Sequence, residues 1–359
     1  SNPLPAARSG EVVIDTESPP RRWKSLSQML AYRSEKHVML PIRYREARML
    51  ELQHVCQVID GEVLLDDISL QLTADRINLL LGPTLSGKTT LLRLMAGLDT
   101  PSGGDIRFNG STIIGTPVRR RNVAMVYQQF INDPSLTVAE NIASPRRVQR
   151  LAGTEIDSRV REAAERLQLD NLLTRRPEEL SGGQQQRLAL ARALVKRADL
   201  VLLDEPLANL DYKLREELRR ELPGLFAEQG ALLVYATAEP NEALLLGGHT
   251  AVLHEGRLVQ SGETLSMFRR PERLRTARAL SDPPLNTAPV KKTGDRLLDR
   301  NARDVDDPAT TALFHDRYGG TRHADDAHQD LLAGALPGRV VKLVEGTNRR
   351  AAVVVDEDV

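Results

Sequence analysis

The run Gly82-Pro83-Thr84-Leu85-Ser86-Gly87-Lys88-Thr89 lies between the apolar stretch Ile77-Asn78-Leu79-Leu80-Leu81 and a helix-forming stretch from Thr89 to Ala96. It fits the pattern G-x-x-x-x-G-K-[ST], which works only where a strand precedes it and a helix follows. The glycines let backbone N–H groups turn inward around phosphate oxygens, and the helix N-terminus adds positive potential. Lys88 is then placed to reach the β- and γ-phosphates, and the Thr89 hydroxyl to bind Mg2+. Thr90, next in the helix, joins this nucleotide-holding set. A second run, Leu200-Val201-Leu202-Leu203, ends in Asp204-Glu205 before Pro206 stops the strand. At that strand end Asp204 can hold Mg2+ and its water. Further short apolar strands are expected at Val123–Tyr127 and Ala231–Ala236. The stretch 135–175 is helical in character, with Val160, Ala163, Ala164 and Leu167 at helical spacing. Short apolar strands alternating with helices imply a mostly parallel sheet covered on both faces.

Bulk properties narrow the classes. Lys plus Arg and Asp plus Glu both number 49, so no net charge favours nucleic acid or anionic lipid. Cys56 is the single cysteine, which forbids an internal disulfide and fits a reducing compartment. No apolar run approaches the roughly 20 residues that span a bilayer. Arg21-Arg22 is followed by no apolar stretch and is not an export signal. The chain is expected to be cytoplasmic, reaching a membrane only through partners.

Three regions differ in texture. Residues 1–48 are rich in Arg, Pro and Ser without a sustained period, and are expected to be a disordered or non-native extension. Met49 opens an alternating first strand, and residues 49–285 form one continuous pattern. Residues 286–337 are polar and charge-rich with little periodicity. Val340–Val344 and Ala351–Val355 then frame a hairpin.

Between the glycine-rich loop and the acidic strand end lies Leu180-Ser181-Gly182-Gly183-Gln184-Gln185-Gln186-Arg187, just before a helix expected from Gln185 to Val195. Its small residues expose N–H groups at a helix N-terminus, which suits a γ-phosphate. A helix cap made of Ser181 with glycine spacers is the plainer reading of those four residues. In this order and spacing, the three segments resemble the ATP-binding cassette (ABC) ATPases. The resemblance covers about residues 49–285. It implies an α/β P-loop domain with a mostly parallel sheet flanked by helices, a helical subdomain at about 131–175 and an antiparallel β subdomain. Sugar-importer ATPases often carry a C-terminal regulatory domain, and residues 286–359 are expected to be a linker and a short β-containing tail, a truncated or divergent form of it. It also implies ATP and Mg2+ as cofactors, Glu205 as the general base that orients water, and Gln128 in Val126-Tyr127-Gln128-Gln129-Phe130 as a ligand of Mg2+ or the water. Ser181, Gly182, Gly183 and Gln184 would close over the ATP of an opposing subunit in a head-to-tail dimer. Asn209-Leu210-Asp211 resembles the loop through which the two sites communicate.

Two positions depart from the family. A histidine is usual shortly after the fifth strand, and here the run Val234-Tyr235-Ala236-Thr237-Ala238-Glu239-Pro240 puts Ala238 there. Thr237 is the nearest donor that could substitute in part. The residue stacking on adenine is usually aromatic, and Ile59 stands in its place.

Arg121–Phe130 and Leu136–Ile142 resemble importer ATPases for sugars and polyols. Ala236–Pro240 with Glu242–Gly248 resembles a branch serving glycerol-type uptake, in which two different ATPase subunits share one transporter. The expected partners are two membrane permeases, a second ATPase subunit and, indirectly, a periplasmic solute-binding protein, at the cytoplasmic face of the inner membrane and without nucleic acid. Ala238 keeps open a catalytically weak half of a heterodimeric motor. Non-transport cassettes fit less well: Lys88 and Ser181 are too close in sequence for the long coiled coil of repair types, and only one cassette is present where translation types usually carry two.

Overall fold

The structure is a computed structural model that describes residues 48–129, 131–148, 153–208 and 210–282, and the backbone of 286–293, 296–298, 339–345 and 350–355. Fully buried apolar strands build its central sheet. The strands β3 (Asn78–Leu81), β7 (Leu200–Asp204) and β8 (Leu232–Thr237) are buried at every position, the signature of a parallel sheet covered on both faces. With β6 (Val123–Val126), β9 (His249–His254) and β10 (Arg257–Glu263) they form a six-stranded sheet in the order β10-β9-β3-β8-β7-β6. Every neighbouring pair is parallel except β9 with β10.

A second sheet is antiparallel, in the order β2-β1-β4-β5, from β1 (Met49–Ile59), β2 (Glu62–Thr73), β4 (Gly103–Phe108) and β5 (Ser111–Thr112). Its inward residues Leu50, Leu52, Val55, Leu65, Ile68 and Leu72 join Leu91, Leu92 and Met95 of α1 (Lys88–Ala96) and Leu80, Leu202 and Val234 of the central sheet in one core. α1 is therefore wedged between the two sheets, which fixes the loop that precedes it.

The stretch 135–175 contains α2 (Val138–Val148) and α3 (Gly153–Arg166), packed on each other and on α4 (Gly182–Lys196). Val160, Ala163, Ala164 and Leu167 are all buried. After β7 and β8 come α5 (Tyr212–Ala227) and α6 (Pro240–Leu246), which pack together. The short helices α7 (Thr264–Arg269) and α8 (Leu274–Ala279) follow β10.

The hairpin expected near the C-terminus is present as antiparallel β13 (Arg339–Glu345) and β14 (Arg350–Val355). β14 also pairs in parallel with β11 (Asn286–Thr293), which pairs with β12 (Arg296–Leu298), giving a third sheet ordered β12-β11-β14-β13. These two strands fall in a segment whose polar sequence shows no strand signal. The expected extension lies outside the described residues except for Arg48, whose guanidinium sits 2.5 Å from Asp199 and whose carbonyl accepts from the Ala74 N–H at 2.9 Å.

Candidate functional site

The carboxyl ends of β3, β7 and β8 lie side by side, where ligands bind in open α/β sheets. The glycine-rich loop leaves β3 and is shaped by positions that exclude a side chain. A Cβ on Gly82 would lie 2.3 Å from the Leu253 carbonyl oxygen and 2.6 Å from Ser86 Oγ. Gly87 has φ +100, and a Cβ there would lie 2.7 Å from Leu65 Cδ2. Pro83, Thr84 and Leu85 form the exposed crest of the loop, with Leu85 at 95% exposure, and Thr90 is half-buried in the first turn of α1.

Lys88 is 5% exposed and folds back under the loop. Its Nζ donates to the carbonyl oxygens of Gly82 (2.8 Å) and Pro83 (2.9 Å) and lies 3.7 Å from Glu205 Oε1. Burial pulls its pKa down, while the negative charges of Glu205 and Asp204 oppose that shift. Thr89 Oγ1 donates to Asp204 Oδ2 at 2.7 Å, so two of the three expected Mg2+ ligands meet across the gap between α1 and β7. Asp204 is 2% exposed. Burial raises its pKa, opposed by the Thr89 hydrogen bond and the Lys88 charge. Gln128 Nε2 donates to Glu205 Oε2 at 3.0 Å, which joins the segment after β6 to the one after β7. Phe130 lies outside the described residues.

Glu205 has φ +45, and its N–H donates to the Ala236 carbonyl at 3.0 Å. Gly82 N–H donates to the Thr237 carbonyl at 3.3 Å. The end of β8 thus clamps both the start of the phosphate loop and the backbone of Glu205. Ala238 follows directly and brings no side-chain donor. Thr237 is not the substitute that its position suggests. It is 2% exposed, its hydroxyl donates to Glu242 Oε2 at 2.5 Å, and it accepts from the Glu239 N–H at 3.0 Å. Ile59 is 44% exposed beside exposed Val58 and Val63, an apolar tip on the β1–β2 turn.

The residues Ser181 to Gln184 stand apart from this cluster. The structure moves the helix start expected at Gln185 back to Gly182, with Ser181 as N-cap. Ser181 Oγ accepts from Gln184 N–H at 3.4 Å, and the Gln184 side chain accepts from Ser181 N–H at 2.9 Å. Gly182, Gly183 and Gln184 form the first turn, where N–H groups have no partner within the helix. Among the described residues, no side-chain hydrogen bond joins this turn to Gly82–Thr89. Asn209 lies outside the described residues. Leu210 is buried, and Asp211 caps α5 by accepting from Leu214 N–H at 3.0 Å. Arg215 and Arg219, four residues apart on α5, gather with Glu239 and Glu242 behind the end of β8, and no motif in the sequence marks the two arginines.

Strand, glycine loop, capped helix and acidic strand end define a P-loop nucleotide-binding fold. A family model described as ABC transporter matches residues 65–208. The chain is 45% identical over 210 residues to the spermidine/putrescine import ATP-binding protein PotA of Methylococcus capsulatus, covering 58% of this chain and 54% of that protein. It is 39% identical over 256 residues to the trehalose/maltose import ATP-binding protein MalK of Thermococcus litoralis, covering 70% of this chain and 69% of that protein. The alignment thus spans about half the length of the first relative. Among solved structures, the ATP-binding cassette MJ0796, a dimer in a post-hydrolysis state bound to ADP and Pi, matches with a TM-score of 0.55 and 28% identity over 60% of this chain and 98% of that one. The chain belongs to the ABC transporter family and carries its ATP-binding cassette domain.

Proposed function

We propose that the chain is the ATP-hydrolysing subunit of an importer for a small carbohydrate or polyol, glycerol-like in size. It works as half of a head-to-tail ATPase dimer beneath two membrane permeases, with a periplasmic solute-binding protein delivering the solute. The observation that carries the reading is the linked set Lys88–Glu205–Gln128 and Thr89–Asp204 at the ends of β3 and β7.

That set fits a nucleotide and Mg2+. The Ser86 hydroxyl is buried with no partner, an unfilled valence beside the loop that suits a phosphate oxygen. Among the described residues no cluster of three or more His, Cys, Asp or Glu could hold a metal by itself. Mg2+ needs less, because one or two carboxylates suffice where phosphates and water fill the rest of its shell. Thr89, Asp204 and Gln128 would be its protein side. When bound, Mg2+ neutralises charge developing on the β- and γ-phosphates.

The chain's own residues do the rest. Loop N–H groups from Gly82 to Thr89 cradle phosphate oxygens, with Thr90 behind them. Lys88 exchanges two carbonyl oxygens for phosphate, and its charge is held by neighbouring carboxylates despite burial. Glu205, braced by Gln128 and by its backbone bond to Ala236, orients the attacking water. Ser181, Gly182, Gly183 and Gln184 form the turn that meets the γ-phosphate held by the opposing subunit. The N–H groups of Gly182 and Gly183, which have no carbonyl partner within the helix, and the Ser181 hydroxyl proton are its donors, while the Ser181 and Gln184 N–H groups hold the cap. Closure of that dimer drives the permeases, and hydrolysis resets them.

Import is the element common to these two relatives, which are named for polyamines and for disaccharides. The polyol reading rests on the runs Ala236–Pro240 and Glu242–Gly248. A second reading is favoured by Ala238: with no donor there and Thr237 committed to Glu242, this chain is the slow half of a heterodimeric motor. Loss of one transition-state donor lowers the rate by roughly 100–1000-fold. Steady-state ATP turnover, alone and with cognate permeases and any neighbouring ATPase, separates the two. Ordinary turnover alone, unchanged by Ala238→His, supports a self-sufficient homodimer. Negligible turnover rescued by Ala238→His or by the second ATPase supports the asymmetric motor. No turnover under any of these conditions sinks both.

A further inference from the structure

Behind the end of β8, α5 and α6 are zipped by two arginines and two acids. Asp211 caps α5, and one turn later Arg215 folds back toward the loop it came from. Arg215 Nη2 donates to the carbonyl oxygens of Ala208 and Leu210, both at 3.1 Å. Its Nη1 donates to Glu239 Oε1 at 3.3 Å. One turn further, Arg219 Nε lies 3.7 Å from Glu242 Oε1, with both side chains buried. Glu242 in turn holds the Thr237 hydroxyl, which holds the Glu239 N–H. The same stretch of chain clamps Gly82 and Glu205 through the carbonyls of Thr237 and Ala236.

We propose that Arg215 is a positioning residue that ties Ala208 and Leu210, between β7 and α5, to the segment 237–239, so that a displacement of either is passed to the other. Arg215 touches neither substrate nor reacting atoms. An isolated exposed pair such as Arg215–Glu239 would contribute little. Here one planar guanidinium serves three acceptors on two segments at once, a geometry that the single ammonium of lysine cannot reproduce. The bond to Glu239 falls next to Ala238, where no side chain of its own anchors the segment to a nucleotide. The orientation of the backbone that braces Glu205 therefore depends on what holds Glu239 and Thr237. The consequence for hydrolysis rests on the ATPase reading above; the coupling between the two segments does not.

Hydrogen–deuterium exchange on the full chain tests the coupling without turnover. Glu239→Ala alters only the segment after β8, yet amides of 207–211 should exchange roughly threefold faster or more. Arg215→Ala should loosen both segments, and Arg215→Lys should resemble Arg215→Ala rather than the parent chain. Unchanged exchange in 207–211 with Glu239→Ala, or loosening confined to 207–211 with Arg215→Ala, overturns the proposal. In parallel, Arg215→Ala should lower kcat for ATP about tenfold while KM and melting temperature hold, the pattern of a group acting in the transition state rather than in binding or folding. A change in KM alone, or kcat falling only as melting temperature falls, removes the role in hydrolysis. If the parent chain turns over no ATP with or without its partners, the ATPase reading fails and the exchange experiment still decides the coupling.

Discussion

Leu85 is the most strained of the residues at the phosphate loop. It has φ +66 and is 95% exposed, so a branched side chain sits in the left-handed region with no burial in return. That conformation costs roughly 1–2 kcal/mol for an L-residue, and glycine loses roughly 0.5–1 kcal/mol more chain freedom on folding. Leu85→Gly should therefore stabilise the nucleotide-free chain by a net of up to about 1.5 kcal/mol, seen as a higher urea midpoint with an unchanged slope. Leu85→Ala, which keeps the Cβ, should stay near the parent; a clear loss of stability with Leu85→Gly would contradict the strain. Asp204 shows the same trade in electrostatic form. Burial raises its folded-state pKa above the ordinary value of 3.8. An acid that binds its proton more tightly when folded makes stability fall as pH rises from its unfolded pKa through its folded one. At neutral pH its ionised form is thus a burden that Asp204→Asn lifts, while the amide oxygen still accepts from Thr89. Lys88 keeps Glu205 and two carbonyls as partners. The variant should melt higher than the parent at neutral pH, the gap should close as pH falls toward 3.8, and Mg2+-dependent ATP turnover should be lost.

The elements were legible where burial dictates residue type. β3, β6, β7 and β8 are covered by other elements, so their near-continuous apolar runs mark them without help from context. Lys88, Thr89, Asp204 and Glu205 were legible for a related reason, since each sits at a boundary between such a run and a glycine or proline. β11 and β12 were not, because Asn286–Leu298 mixes lysines, threonines and Pro289 with few apolar residues. Arg215 and Arg219 were hidden because their importance depends on α6, which is remote in sequence. The sequence alone points to a start of α4 three residues late, because glycine is a poor helix former within a helix but carries less penalty in a first turn capped by Ser181. That cap gives a paired test. Ser181→Ala should destabilise the chain by about 1 kcal/mol and also impair turnover. Ser181→Asp should retain the cap and favour the helix N-terminus, yet place a carboxylate where the proposed function needs a phosphate oxygen. Restored stability with turnover still lost would assign Ser181 to the nucleotide; restored turnover would leave it a cap alone.

At the scale of the whole molecule the division between the two polar sites matters most. Lys88, Thr89, Asp204, Glu205 and Gln128 are joined by hydrogen bonds and an ion pair, whereas among the described residues the side chains of Ser181 and Gln184 bond to N–H groups of their own turn, which presents exposed Ser181 and Gly182 to its surroundings. A helix N-terminus whose Gly182 and Gly183 N–H groups have no carbonyl partner within the helix, set apart from the phosphate loop of its own chain, has a use if a second copy carries the phosphate. Two variants can test that arrangement. Lys88→Ala spoils the phosphate loop and leaves the signature turn intact; Ser181→Asp does the reverse. Each alone should be inactive. When the two are mixed in equal amounts, half of the dimers pair one of each, and such a pair contains one composite site with both parts intact. For a two-fold dimer with independent sites, the mixture should recover roughly a quarter of the parent turnover. If each chain used its own turn, no combination would contain an intact site and mixing would recover nothing. If the working partner is a different ATPase subunit, the mixture also stays silent. In that case, adding that subunit to Lys88→Ala should give turnover that Ser181→Asp cannot, because only the former still supplies a signature turn to the partner's nucleotide.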